Sequence, residues 1–270
     1  MKQVIKNKLR PLRDAVQVYV NHYNNQIYLD WYFKHSKYLK KFKDIHQGEG
    51  CFIIGNGPSL NQTNLEALKN YHTFGLNKIY LIQDKVDLNL SYHVCVNPYV
   101  IEQSAERFQS LNCPSFLSYK ASLGKTTTDE NIYFILTGGA YTFHKDLLKP
   151  ICEGYTVTYV AMQIAFYMGF SQVFLIGVDH NFKSVGKPNE LQTLEGNDPN
   201  HFDPNYFANK QWQLPDLEAS ELSYTLARFF YRRDGRQIYD ATVGGKLDIF
   251  PKISFEKALE LCPQKNDLGT

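Results

Sequence analysis

The chain has 270 residues, of which 43% are hydrophobic and 21% charged, with 19 Tyr and 18 Phe. That length holds one large domain with an appendage or two small ones, and the composition supplies a sizeable core and excludes general disorder. The net charge of +2 hides an asymmetry: residues 1–47 carry ten Lys/Arg against three Asp/Glu (net +7), and the remainder nineteen against twenty-four (net −5).

Residues 1–47 read as a basic helical arm. They hold Pro11 near the start and no glycine. Apolar side chains recur at roughly helical spacing at Val16, Tyr19, Tyr23, Tyr28, Trp31 and Tyr32, and Lys34, Lys37, Lys40, Lys41 and Lys43 follow. Two roles stay open. The arm packs on the core or on a second subunit, which makes a homo-oligomer an expected partner; or it lies on an anionic membrane surface as a peripheral contact. The interrupted aromatic face favours packing.

Gly48-Glu-Gly50 marks a hinge, and residues 48–262 read as one domain. Cys51-Phe-Ile-Ile54 is a short apolar run of the kind that forms a buried parallel strand. Asn61 to Lys69 suggests a helix. Further strands are expected at His72–Leu76, Tyr92–Val96, Ser115–Ser118, Ile132–Leu136, Val173–Ile176 and Ile238–Tyr239. Helices are expected at Ile101–Gln109, Thr156–Met168 and Leu217–Arg233, the last ended by Asp234-Gly235. Strands alternating with helices predict an α/β fold, Rossmann-like, with a mostly parallel sheet covered by helices on both faces. Residues 182–214 are rich in Asn, Asp, Gly and Pro and read as an irregular lid or binding loop.

Five cysteines without a CxxC, two of them in strand-like runs, fit reduced buried thiols. No apolar run reaches the length of a membrane span and no apolar leader follows the first residues. The expected location is the cytoplasm, at the inner face of the membrane if the arm binds lipid. No nucleic-acid partner is expected.

Three constellations can carry chemistry. Gly55-Asn-Gly-Pro-Ser-Leu60 stands between a strand and a helix, where Gly55 and Gly57 allow close backbone approach. Its amides and the helix N-terminus would face a bound phosphate, with Ser59 capping or bonding it. The loop lacks the lysine of a P-loop and the third glycine of a dinucleotide fingerprint, and the plain alternative is a Gly-Pro turn. Asn77 and Asn97 end the next two strands on the edge of Asn56, offering amides to a base, ribose or sugar hydroxyl. After the sixth strand come Asp179 and His180, and the insert adds His201 and Asp203. His180 or His201 suits a general base, with Asp179 to orient it. A metal set of Asp179, His180, His201 and Asp203 lacks tight ligand spacing, and polar turn residues are the plain reading. His72, His93 and His144 read as structural, without carboxylate neighbours.

Strand-GNGPSL-helix, Gly75-Leu-Asn77, Cys95-Val-Asn97-Pro98, Thr156-Val-Thr-Tyr159 leading to Val173-Phe-Leu-Ile-Gly-Val-Asp179, and Asp240-Ala-Thr-Val-Gly-Gly-Lys246 together resemble the MptE-like domain over about residues 48–255. That domain resembles archaeal 6-hydroxymethylpterin diphosphokinase on one side. On the other it resembles the family 42 bacterial sialyltransferases and flagellin-modifying transferases. The resemblance implies that Gly55, Asn56, Gly57, Ser59, Asn77, Asn97, Thr156 and Thr158 contact the nucleotide, and that a histidine in the lid, nearest His201, is the base. His180-Asn181 stand where the sialyltransferases carry aromatic residues.

The expected function is glycosyl transfer from a nucleotide-sugar, CMP-linked in the family 42 pattern, to a glycan acceptor in bacterial surface-polysaccharide synthesis, without a metal or other cofactor. The alternatives are a Mg²⁺-dependent diphosphokinase acting on a pterin-like alcohol, and a non-catalytic nucleotide-sugar-binding protein.

Overall fold

Short apolar runs with no polar alternation give strands that are buried on both faces. In the computed structural model, which describes residues 26–83, 85–127, 129–183 and 185–265, seven such runs form one parallel sheet. They are β1 (Gly50–Ile54), β2 (His72–Leu76), β3 (Tyr92–Cys95), β4 (Ser115–Ser118), β5 (Ile132–Ile135), β6 (Gln172–Ile176) and, at the far edge, β9 (Gln237–Asp240). The order is β5-β4-β3-β2-β1-β6-β9. The chain steps outward from β1 to β5, then returns to lay β6 on the other side of β1. The topological switch point therefore lies between β1 and β6, and parallel sheets open a crevice at the carboxyl ends of the strands there.

Helices flank the sheet. The arm is α1 (Gln26–Trp31), a π-helical turn (Tyr32–Ser36), α2 (Lys37–Leu39) and a 3-10 turn (Lys40–Phe42). It shares the core: Trp31 and Leu39 are wholly buried, the Trp31 indole N–H donates to the Phe134 carbonyl at 2.8 Å, and the Phe42 ring lies 4.8 Å from that of Tyr133. Pro11, Val16, Tyr19 and Tyr23 of the expected arm lie outside the described residues. α3 (Pro98–Gln109) follows β3 and α4 (Tyr119–Ser122) follows β4. α5 (Val157–Met168) is buried all round, packs across β1, β2 and β3, and ends on Gly169 at φ 99°. α6 (Leu217–Arg233) is capped by Asp216, which accepts from the Ala219 N–H, and packs on α5. α7 (Phe255–Leu261) closes the described chain. The five cysteines are free and buried. Among the described residues no helix is long and apolar enough to cross a membrane.

Two expectations need correction. Asn61–Lys69 is not an α-helix but two 3-10 turns, Pro58–Gln62 and Leu65–Leu68, with Thr63 extended between them. Asn61 and Thr63 satisfy themselves outside a helix: the Asn61 amide donates to the Phe202 carbonyl, and the Thr63 hydroxyl to the Ser59 carbonyl. Such side chains compete with helical hydrogen bonding. The insert, residues 182–214, is not irregular throughout. β7 (Leu191–Thr193) and β8 (Gln211–Gln213) pair antiparallel within it. Between them Phe202 and Tyr206 are 2% and 1% exposed. The Phe202 N–H donates to the Asn56 carbonyl, and Lys78 Nζ to the Tyr206 carbonyl. The aromatic content of His201-Phe-Asp-Pro-Asn-Tyr-Phe207 drives this burial without any periodicity that a pattern search would find.

Candidate functional site

A cleft of about 590 Å³ opens at the switch point. Its floor is the carboxyl edge of the sheet: Gly55–Gly57 after β1, Asn77 after β2, Asn97 after β3, and Gly177–His180 after β6. Thr156–Thr158 at the start of α5 form one wall, Ser220 and Tyr224 of α6 another, and Asn200, His201, Phe207 and Trp212 of the insert a third. Ten of the eleven residues expected from the sequence thus line one cavity: Gly55, Asn56, Gly57, Asn77, Asn97, Thr156, Thr158, Asp179, His180 and His201.

Ser59 is the exception. It is 3% exposed and does not line the cleft. Its N–H and hydroxyl donate to the two oxygens of Asp179, at 3.1 and 2.7 Å. The amides of both glycines are engaged as well: the Gly55 N–H donates to the Ile176 carbonyl and that of Gly57 to the Gly177 carbonyl. The loop thus splices β1 to β6, and two 3-10 turns rather than an α-helix follow it. Its glycines answer to this packing. A β-carbon on Gly55 would lie 2.3 Å from the Gly177 carbonyl oxygen, and one on Gly57 would lie 1.8 Å from an Asp179 carboxylate oxygen. Burial raises the Asp179 pKa against the lowering effect of the Ser59 hydrogen bonds.

The asparagines differ from one another. Asn97 caps α3, its side-chain oxygen accepting from the Tyr99 and Val100 N–H groups. Asn77 holds a left-handed backbone at φ 50°, and its carbonyl contacts His93 Nε2 at 2.8 Å. The side-chain oxygens of Asn56 and Asn77 are buried and, among the described residues, have no hydrogen-bond partner. Native proteins leave few buried polar atoms orphaned. These two stand at the ends of adjacent strands, both line one cleft, and both are free to accept hydrogen bonds there.

Across the cleft, Thr156 caps α5 by accepting from the Thr158 N–H, and its hydroxyl lies 3.3 Å from that of Tyr224. The residue before it, Tyr155, is 54% exposed and sits at φ 61°. Such strain in a residue with a β-carbon is found at ligand-binding turns. The partial positive charge of a twelve-residue helix is aimed into the cleft at this point.

Both candidate bases have carboxylate partners, but neither partner is Asp179. His180 Nε2 is 2.8 Å from Glu221 Oε1, with His180 itself at φ 51°. His201 Nδ1 is 2.7 Å from Oδ2 of the buried Asp198, and its ring stacks on that of Tyr206 at 4.0 Å and 3°. Asp203 pairs with Lys85 at 2.9 Å. The set Asp179, His180, His201 and Asp203 therefore does not converge on a metal: among the described residues the one group with ligand spacing is His46, Glu49 and His72. That group also corrects the reading of His72, which has Glu49 at 2.8 Å. The sequence signal was available, since Glu49 and His72 flank the amino ends of neighbouring strands. His93 and His144 are indeed held by hydrogen bonds to backbone and side-chain oxygens.

Seven parallel strands, flanking helices and a cleft at the switch point define the class: a doubly wound, Rossmann-like α/β protein. The chain belongs to the 6-hydroxymethylpterin diphosphokinase MptE-like family, whose model matches residues 21–185. Comparison with curated proteins gave no match. Among solved structures the fold is similar to that of the MAf glycosyltransferase from Magnetospirillum magneticum AMB-1, with a TM-score of 0.51 and 13% identity over 87% of this chain. The chain spans 39% of that protein's length. The family is named for a diphosphokinase and the structural neighbour for a glycosyltransferase, so both names are those of transferases.

Proposed function

We propose that the chain is a glycosyltransferase-like enzyme that takes a nucleotide-sugar in the switch-point cleft and passes the sugar to a glycan hydroxyl. The observation that carries this reading is the pair of orphaned amide oxygens on Asn56 and Asn77. They are acceptors, so they suit the hydroxyls of a ribose or sugar, or the exocyclic amine of a base. The diphosphate or phosphate lies at the start of α5, where Thr156–Thr158 and the helix dipole meet charge that grows as the nucleotide leaves. His201, oriented through Nδ1 by Asp198, uses Nε2 to take the acceptor proton.

Diphosphoryl transfer, the activity in the family name, needs Mg²⁺ bridged between phosphates and carboxylates. The carboxylates of this cleft suit that role poorly. Asp179 is bonded to Ser59, and Asp216 caps α6 and accepts from Asn189. Glu153 alone among the lining acids has no such commitment among the described residues. This favours a reaction in which fixed dipoles, rather than a metal, stabilise the leaving phosphate.

The outer side of the arm supports a peripheral membrane contact, as suits a lipid-linked acceptor. Phe33 and Tyr38 are 70% and 54% exposed, interleaved with exposed Lys34, Lys37, Lys40 and Lys41. The test of the functional reading is a thermal-shift titration with CMP, UDP, GDP and ATP, each with and without Mg²⁺, followed by turnover of the corresponding nucleotide-sugars. Stabilisation by a pyrimidine or guanine nucleotide without Mg²⁺, and sugar release, support it. Stabilisation by ATP with Mg²⁺ alone overturns it in favour of the diphosphokinase. Binding without turnover of any donor identifies a non-catalytic binder.

A further inference from the structure

At the opposite end of the sheet from the cleft, two imidazoles converge on one carboxylate oxygen. His46 Nδ1 and His72 Nε2 each lie 2.8 Å from Oε2 of Glu49. The rings are 4.2 Å apart between centroids. His46 stands at the end of the arm, Glu49 just before β1, and His72 begins β2. The backbone at each is fixed: the His46 N–H donates to the Met168 carbonyl, and the Glu49 carbonyl accepts from Ser171. Phe170 stacks on the His46 ring at 4.5 Å.

We propose that His46, Glu49 and His72 form a binding site for a divalent transition metal of the zinc type, which fastens the arm to the amino edge of the sheet. Two neutral imidazole nitrogens and one carboxylate are a donor set that favours zinc-like ions over Mg²⁺ or Ca²⁺. The three donor atoms lie within 4.8 Å of one another. Ligand atoms about a tetrahedral zinc stand roughly 3.3 Å apart, given bonds of about 2.0–2.2 Å. The two present contacts to Glu49 Oε2, at 2.8 Å each, are about 0.5 Å shorter than that spacing, so the donors need to spread only slightly to admit the ion.

The surroundings suit such an ion. Metal-bound histidines are oriented through their second nitrogen, and the Tyr92 hydroxyl is 2.6 Å from His46 Nε2. A hydroxyl both donates and accepts, so His46 can move its proton from Nδ1 to Nε2 and present a lone pair to the metal without releasing a proton. The side chains are 12% exposed at His46, 15% at His72 and 23% at Glu49, which leaves the fourth position to water.

The test uses the full chain, stripped with a chelator and titrated with Co²⁺ and then Zn²⁺. One equivalent of Co²⁺ should give the visible absorption of a tetrahedral site, be displaced by Zn²⁺, and raise the unfolding temperature. His72→Ala should weaken binding about 100-fold and remove the thermal shift, and Tyr92→Phe should weaken it about 10-fold. Zn²⁺ should also shift the imidazole NMR signals of His46 and His72 in the unaltered protein, a readout that does not depend on any variant folding. Absence of stoichiometric binding overturns the proposal. So does binding retained within threefold in His72→Ala, or NMR shifts confined to other histidines.

Discussion

Gly57 and Asp179 face each other so closely that a single added carbon on the glycine would sit 1.8 Å from the carboxylate. The carboxylate in turn bonds the Ser59 N–H and hydroxyl. The most motif-like loop of the sequence is thus held by an acid from the neighbouring strand. It positions Asn56 beside the cleft.

Gly57→Ala should therefore act on the fold as well as the site. Displacing Asp179 overpacks the β1–β6 splice and unpairs Ser59, with an expected cost of roughly 2–4 kcal/mol. Chemical denaturation reads this directly. A variant as stable as the parent that merely loses ligand would instead return the loop to the role of a phosphate cradle.

Asn56→Ala and Asn77→Gly remove orphaned acceptors, and glycine keeps the positive φ at position 77. Stability should change little, because no protein partner is lost. Nucleotide or nucleotide-sugar affinity should fall about tenfold for each, near the value of one hydrogen bond. Calorimetric titration distinguishes this from a purely structural role, which would cost stability and spare affinity.

His201→Ala should lower turnover by roughly 10²- to 10⁴-fold with nucleotide affinity nearly unchanged. Asp198→Asn should follow it in part by misorienting the ring. His180→Ala is the control: it loses the Glu221 contact at the other side of the cleft. If His180→Ala abolishes turnover and His201→Ala does not, the roles swap.

Acid should destabilise the protein through His93. Burial pushes this imidazole from 6.5 down to about 4. The unfolded chain therefore binds a proton that the folded chain refuses, and stability falls as pH drops from about 6.5 to about 4. Full expression of that shift is worth roughly 3 kcal/mol. Denaturant midpoints across that range should show the slope, and His93→Gln should reduce it, the remainder coming from His72, which burial also lowers to about 4. An unchanged slope in the variant would place the effect elsewhere.

Removing residues 1–47 should expose the faces of Phe116, Tyr133 and Phe134 that Trp31 and Phe42 now cover. Aggregation seen by light scattering is the expected result. A soluble, active truncation that no longer binds anionic vesicles would assign the arm to the membrane alone.

The strands were legible because each is a short apolar run ended by a turn residue, and the strand ends led directly to Asn56, Asn77 and His180. What sequence could not supply was the partner of each group. Asp179 reads as a neighbour of His180 yet bonds Ser59, 120 positions away. Glu221 and Asp198, the carboxylates that orient the histidines, sit in an amphipathic helix and a Pro-Asn turn, where acids are ordinary. Nothing in the insert's sequence announces its order, because burial of Phe202, Tyr206 and Trp212 follows no helical or strand period. The 3-10 turns after Gly57 resemble a helix in sequence because Leu65, Ala67 and Leu68 mask the competing side chains of Asn61 and Thr63.

The most direct measurement is turnover of CMP-, UDP- and GDP-sugars by the full chain with no divalent metal added, beside the His201→Ala and Asn56→Ala variants. The account predicts release or transfer of sugar from at least one donor, lost in His201→Ala and weakened through donor affinity in Asn56→Ala. Inertness toward every donor, together with Mg²⁺-dependent diphosphate transfer from ATP, would contradict it.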